Sequence, residues 1–371
     1  MPTDAALPDE TPSFVPDDAF VAAVRHRVRR HRRRTRQRLG AGVALVAVIA
    51  GSGLWYTNDR LSSVQRIDLG TDPTAPDPVA DGTPFNLLVV GLDECETADD
   101  DMCANRLGLV PRDAPASADT IAVVHVDPAA DTLDMLSVPR DLLADTNTKW
   151  SWLSVPQIRS HLRDDLGIEV DHAVTMTMTG FRDLAEDLTL RLSLGTAVRD
   201  RSSGLDLAAG CQRVDGAQLL ALVRARHLEF RDGDGWRADQ TGDIGRVARQ
   251  QQVLRALFER LDDVDLGDAR TLDRALSSIA VDDSLSNADV VRLARLARGS
   301  TLRSVAALPT HLGGDASMAF VSRRDAATVN PVIAPFGGHV EDTAASPTST
   351  APPGMQSILD EMESWTDISS C

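Results

Sequence analysis

The sequence predicts an α/β or α+β domain held outside the cell by one transmembrane helix. Three observations predict it. An uncharged run, "LGAGVALVAVIAGSGLWY" (39–56), follows a strongly basic one. Three apolar segments of strand length then come close together: "FNLLVVGLD" (85–93), "TIAVVHVD" (120–127) and "TLDMLSVP" (132–139). Beyond them, helical and strand-like periodicities alternate along the chain.

The membrane segment comes first. About 18 uncharged residues just cross a hydrocarbon core of about 30 Å, and Trp55 and Tyr56 stand at the end where interfacial aromatics belong. The preceding "RHRVRRHRRRTRQR" (25–38) keeps the N-terminus cytoplasmic and exports the remainder. No A-x-A-like cleavage site in good context follows, which favours a retained anchor over a cleaved signal peptide. A basic run against an apolar span, in a chain of net charge −17, excludes a nucleic-acid partner. The layout is therefore a cytoplasmic tail with the Arg-rich run (1–38), a transmembrane helix (39–56), an extracytoplasmic stalk rich in Pro, Asp and Gly (57–83), a folded domain (84–340) and a flexible C-terminal tail (341–371).

In the folded domain, "FNLLVVGLD" reads as a buried strand feeding a loop, and "PAAD" (128–131) connects the next two strands as a hairpin. "VPQIRSHLRDDLG" reads as a helix stopped by Gly167, "HAVTMTMT" (172–179) as an alternating strand, and "GFRDLAEDL" as a helix start. Helices are also expected at "DGAQLLALVRAR" (215–226), 244–263, "TLDRALSSIAVDD" and "NADVVRLARLAR", with a late strand at "RSVAALPT" and a short helix at "MQSILDEMESW". Aromatics make up only 4% of the chain, so Ala, Val and Leu must fill the core. Cys95, Cys103, Cys211 and Cys371 form no C-x-x-C pair, which argues against zinc. Disulfides are permitted in an exported domain, and four cysteines allow three connectivities. Cys95 and Cys103 bracket an acidic loop that a bridge between them would staple.

The polar residues most out of place lie in four patches: Asp93 at a strand end, Asp119 in "SADT", Arg140–Asp141 in "SVPRD", and the set Arg224, Arg226, Asp243, Arg246, Arg249 and Gln250. At about 100° per residue, Arg246 and Gln250 share the helix face of Val247, Leu254, Leu257, Phe258 and Leu261, whereas Arg249 points off that stripe toward solvent. Arg224 and Arg226, two apart, face the same way if the backbone there is extended. Converging guanidiniums match phosphate oxygens, and Asp93 with Asp119 offer hard oxygen ligands to Mg²⁺. Taken singly, each patch also has an ordinary reading as a turn residue, a surface ion pair or a helix-start pair.

Taken together and in this order, "FNLLVVGLD", "SADTIAVVHVDP", "LDMLSVPRDL", "LGIEVDHAVTMTMTGF", "DGAQLLALVRARH" and "GDIGRVARQQQVLRAL" resemble the LytR-CpsA-Psr (LCP) family of membrane-anchored phosphotransferases, over roughly residues 84–312. The resemblance implies an LCP-like α-β-α fold with a mixed central sheet flanked by helices. It implies transfer of a glycopolymer from a polyprenyl-pyrophosphate carrier onto peptidoglycan, leaving a phosphodiester. An apolar pocket for the polyprenyl chain and a Mg²⁺ or Mn²⁺ cofactor belong to the same pattern. Carried over by motif, Asp93 and Asp119 match metal-side acids, and Asp119, Arg140, Arg224 and Arg246 the catalytic set. Arg226, Asp243, Arg249, Gln250 and Asp141 match substrate contacts. The chain departs from the pattern at Ser117, where the family has arginine, at "KWS" (149–151), where it has Lys-Ile-Asn, and at "LTLRLS", where it has Leu-Gly-Gly-Val. The alternatives are a divergent, non-catalytic binder of lipid-linked wall precursors and a polyprenyl-pyrophosphate pyrophosphatase.

Overall fold

A computed structural model describes residues 64–70, 78–93, 117–144, 148–187, 190–239, 243–258, 277–314, 319–323, 325–341 and 368–371. The expected membrane span, the Arg-rich run, most of the stalk, the Cys95–Cys103 loop and the "MQSILDEMESW" helix lie outside these residues. Among the described residues no helix is long and apolar enough to cross a membrane.

The strands in chain order are β1 (Gln65–Ile67), β2 (Phe85–Asp93), β3 (Ser117–Asp127), β4 (Thr132–Val138), β5 (His172–Thr177), β6 (Arg191–Leu194), β7 (Val198–Asp200), β8 (Leu205–Leu207), β9 (Gly210–Arg213), β10 (Glu229–Asp232), β11 (Gly235–Ala238), β12 (Ile279–Asp282), β13 (Thr301–Ala307), β14 (Thr310–Gly314), β15 (Ala319–Arg323) and β16 (Ile368–Ser370). The helices are α1 (Pro78–Asp81), α2 (Val155–Leu166), α3 (Met178–Asp187), α4 (Gly216–Arg224), α5 (Asp243–Phe258), α6 (Asn287–Gly299) and α7 (Ala326–Ile333).

A seven-stranded sheet in the order β1-β12-β5-β2-β3-β4-β13 is the frame. It is mixed: β2 runs parallel to β5 and antiparallel to β3, and β3 and β4 form the expected hairpin. The near-continuous apolar runs of β2 and β3 follow from burial on both faces. Successive residues alternate between two cores. Leu87, Val124 and Met135 pack on one side with α4, α5 and α6 through Leu222, Val253 and Leu293. Leu88, Val90, Ile121 and Val123 pack on the other with α2 and α7 through Ile158, Leu162 and Ile333. This is the helix–sheet–helix sandwich expected from the resemblance.

Local chemistry sets the ends of the elements. Ser154 caps α2 while its backbone N–H donates to Gln157 Oε1 at 2.9 Å. Gly167 ends α2 in the left-handed region, φ 67°, where a Cβ would come within 2.8 Å of the His339 carbonyl oxygen. Asp215 caps α4, accepting from Gln218 N at 2.7 Å. At Gly216 the two helices meet so closely that a Cβ would lie 2.1 Å from the Arg182 carbonyl of α3. That contact aims the far end of α4, and Arg224 with it.

Several expectations need correction. "HAVTMTMT" is a strand only to Thr177, because α3 begins at Met178. The "SIAVDD" part of an expected helix carries strand β12, buried at every residue and paired with β5. Three or four buried apolar residues in a row do not distinguish a strand from a helix by periodicity. Residues 191–238 supply two small antiparallel sheets that the sequence did not announce, β11-β10-β7-β8 and, completed by β16, β16-β6-β9. Cys211 and Cys371 form a disulfide that ties β9 to the C-terminal residue across a separation of 160 residues.

Candidate active site

One end of the central sheet gathers the chemistry. Because β3 is antiparallel to both β2 and β4, the end of β2, the start of β3 and the end of β4 lie together. The end of β5, parallel to β2, joins them and leads into α3. Clefts outside the carboxyl ends of strands are common ligand sites in α/β folds. Here α4 brings its C-terminus and α5 its N-terminal turns to the same place, closing a cavity of about 710 Å³.

Asp93, Asp119, Arg140, Asp141, Arg224, Arg226, Arg246 and Gln250 all line this cavity. Each arrives by a definable local device. The β2–β3 register shifts between Gly91 and Leu92: Gly91 opposes Thr120 and Leu92 opposes Ala118, leaving Asp119 as the extra residue of a bulge. Bulges re-aim a side chain beside functional sites. Asp119, 7% exposed, meets Arg140 there in an ion pair. Arg140 Nε also lies 3.7 Å from Asp141 Oδ2, and Lys149 Nζ donates to Asp141 Oδ1 at 2.8 Å. Arg224 is the last residue of α4 and stands 3.8 Å from Asp93. Ala225 then turns extended, with ψ 122°, so that Arg226 returns to the cavity. Gln250 donates through Nε2 to the Val223 carbonyl at 3.1 Å, stitching α5 to α4.

Arg249 is corrected. The expected solvated contact is buried, 1% exposed, and does not line the cavity. It ion-pairs with Asp239 at 3.0 Å and donates to the Ala225 carbonyl, so it secures the turn that carries Arg226. The buried face of α5 runs through Arg246, Arg249, Val253, Ala256 and Leu257, rotated from the expected stripe, and Leu254 is only half-buried. Asp243 is the first residue of α5, but its side chain lies outside the described residues, as do Phe258's side chain and Leu261.

Other lining residues were not singled out by sequence: Lys149, Ser151, Trp152, Met178, Asp200, Ser202, Ser203, Val223 and His227. Ser117, the position at which the sequence departs from the expected arginine, also lines the cavity. Asp200, 1% exposed, organises one wall. Its Oδ2 accepts the backbone N–H groups of Arg226 and His227, both at 2.9 Å, and its Oδ1 accepts from Ser202 at 2.8 Å and Ser203 at 3.4 Å. An Asp followed by two serines and glycine is a turn signature that was available in "RDRSSG". The sequence also contains a single lysine, Lys149, and it lies in this cavity.

The lining carries five permanent cations, Arg140, Lys149, Arg224, Arg226 and Arg246, against four carboxylates. One of those carboxylates, Asp200, is committed to backbone N–H groups. In a chain of net charge −17 this is a local reversal of sign. Low-dielectric walls focus such a field. Guanidiniums from three segments, the end of β4, the end of α4 with the residues after it, and the start of α5, suit an anion with several oxygens. Among the described residues, the apolar contacts of the cavity are Trp152, Met178 and Val223. The deep apolar pocket implied by the resemblance is not traced by them.

An α-β-α sandwich built on a mixed central sheet, with a cavity lined by basic side chains at one end of that sheet, defines the class of the fold. Residues 57–305 match the LytR_cpsA_psr family, and the chain belongs to it. It is 27% identical over 230 residues to the probable cell wall biosynthesis protein LcpB of Corynebacterium glutamicum, covering 59% of this chain and 50% of that one. It is 26% identical over 196 residues to the polyisoprenyl-teichoic acid–peptidoglycan teichoic acid transferase TagV of Bacillus subtilis, covering 48% and 44%. The chain thus spans about half the length of these curated relatives. Its fold is shared with the LytR-Csp2A-Psr enzyme from Actinomyces oris, with a TM-score of 0.55, 24% identity, and coverage of 74% of this chain and 96% of that one.

Proposed function

We propose that this chain is a membrane-anchored phosphotransferase that moves a glycopolymer from a polyprenyl-pyrophosphate carrier onto peptidoglycan. The observation that carries the reading is the convergence of Arg140, Arg224, Arg226 and Arg246 on one cavity. The relatives named for cell-wall biosynthesis and teichoic acid transfer support it. The uncharged run 39–56 after the basic run supplies the anchor and sets the domain outside the cell.

In this reading the arginines bind the diphosphate in bidentate fashion and hold it for in-line attack. An acceptor hydroxyl oxygen bonds to the polymer-linked phosphorus, the P–O bond to polyprenyl phosphate breaks, and polyprenyl phosphate leaves. Charge growing on the leaving phosphate is met by fixed guanidiniums, a preorganised stabilisation. Asp119 and Asp141 both sit in the cavity and are the candidates for taking the hydroxyl proton. Asp119 is ion-paired to Arg140, and Asp141 is shared between Lys149 and Arg140, so each carboxylate is also fixed in place.

Asp93 and Asp119, both lining the cavity, would be the residues to hold a Mg²⁺ or Mn²⁺, an ion usually bound through one or two carboxylates plus phosphate oxygens. Among the described residues no three of His, Cys, Asp and Glu cluster as an all-protein metal cage. When bound, the ion supplies positive charge to the phosphate oxygens.

A second reading is a divergent member that holds lipid-linked precursors without turnover. Ser117 favours it, since the hydroxyl adds no charge where the family has a guanidinium. A labelled-donor transfer assay separates these readings. Label appearing in peptidoglycan supports transfer, retention of donor without transfer supports the binder, and phosphate release without acceptor indicates a pyrophosphatase.

A further inference from the structure

Trp152 is the one large hydrophobic side chain that stands exposed among the described residues, at 53%. It does so on the rim of the polar cavity. Its placement is built. A short 3-10 helix, Trp150–Trp152, carries it, and the neighbouring Trp150 is fully buried in the core beside α2. Backbone bonds fix the segment: Trp150 N to Leu142 O at 2.9 Å, Ser151 N to Arg140 O at 2.8 Å and Leu153 N to Trp150 O at 3.1 Å. The backbone that carries the indole is therefore fixed relative to that of Arg140. The same lining includes Asp141, Lys149 and Ser151, a carboxylate, an ammonium and a hydroxyl from the chain segment that precedes it.

We propose that Trp152 is the stacking platform of a glycan subsite, taking the apolar C–H face of a pyranose ring while the groups of Asp141, Lys149 and Ser151 face its hydroxyls. The proposal rests on the transfer reading and adds to it where one sugar sits. An amphipathic ring over a polar rim matches an indole, which offers large contact area at little entropic cost. A lipid surface fits less well. Membrane anchoring draws on several apolar side chains and unpaired cations, whereas among the described residues this rim has one exposed indole and a carboxylate that already holds Lys149.

The sugar comes either from the acceptor strand or from the donor polymer. The test uses the full chain in detergent and a soluble β-1,4-linked N-acetylglucosamine tetramer as probe. The five indole N–H signals are assigned by substitution and followed by NMR. Saturable movement of the Trp152 signal is expected, with Trp152→Ala weakening the tetramer about tenfold, equivalent to about 1.4 kcal/mol, and Trp152→Phe restoring most of it. In transfer assays, a raised acceptor KM in Trp152→Ala assigns the acceptor sugar and a raised donor KM the donor sugar; either supports stacking. Equal tetramer affinity in wild type and Trp152→Ala overturns the proposal. So does an indole signal that moves with phosphatidylglycerol vesicles and not with the tetramer. The titration needs no turnover, so its failure leaves the transfer reading standing, and absence of transfer leaves the titration interpretable.

Discussion

Replacing Asp200 with Asn keeps the volume of the side chain and removes half of its accepting capacity. The carboxylate takes four backbone N–H groups from two segments, at 2.9, 2.9, 2.8 and 3.4 Å. An amide has one oxygen, so one pair of donors must face an NH₂ group instead. The cheaper orientation keeps Arg226 and His227 and gives up Ser202 and Ser203. Hydrogen bonds to a charged group contribute about 1.5–3 kcal/mol each, and the Ser203 bond is long. The expected cost is therefore about 2–4 kcal/mol, or roughly 5–15 °C in melting temperature for a domain of this size. Arg226 loses its charged anchor in either orientation, so affinity for inorganic pyrophosphate falls by about tenfold, on the scale of one such bond. Differential scanning calorimetry and titration calorimetry with pyrophosphate read the two effects. A variant that melts within 1 °C of wild type and binds pyrophosphate equally would refute the role given to Asp200.

Other perturbations separate structure from function. Asp239→Ala strands the buried Arg249. It should destabilise by about 3–5 kcal/mol, the cost of breaking a buried pair, measured by urea unfolding. At Asp282, burial pushes the carboxyl up, but hydrogen bonds from His172 and Ser284 outweigh it and hold it below the ordinary carboxylate range. A depressed folded value stabilises above the unfolded value of about 3.9 and is lost as pH falls through the folded one. Asp282→Asn should therefore be less stable at pH 7 and show a flatter loss of stability below about pH 4. Cys211→Ser with Cys371→Ser opens a loop of 160 residues' separation and should cost on the order of 2–5 kcal/mol, seen as a lower thermal midpoint. Chelation with EDTA should stop transfer and Mg²⁺ restore it. Asp93→Asn should weaken Mn²⁺ binding in the presence of pyrophosphate by electron paramagnetic resonance; unchanged binding would remove Asp93 from the metal site.

Much of this was legible because strand burial leaves a plain signature. The runs at 85–93, 120–127 and 132–139 are apolar on both faces, and they became β2, β3 and β4. The cavity arginines were legible because a guanidinium inside a helix face needs a reason, and Arg246 is 2% exposed. The same argument misplaced Arg249. A helical wheel places a residue on a face, but the position of that face depends on neighbours, and Asp239 is ten residues away and outside the helix. Strands β6 to β11 are three or four residues long, too short for alternation to register. The turn that Asp200 makes with Ser202 and Ser203 was legible in "RDRSSG", but its bonds to the backbone of Arg226 and His227 were not, because they join segments 26 and 27 residues apart. The bulge at Asp119 is a property of pairing with β2 and is invisible in β3 alone.

The most direct measurement is pyrophosphate binding by the full chain, wild type against Arg224→Ala. Arg224 is the better choice than Arg246 because its side chain is 18% exposed whereas Arg246 is 2% exposed, so truncation disturbs less of the packed interior. A loss of tenfold or more in affinity for inorganic pyrophosphate is expected, with the melting temperature retained. Undiminished affinity in Arg224→Ala, together with a lowered melting temperature, would mean that these guanidiniums hold the fold together and grip no diphosphate.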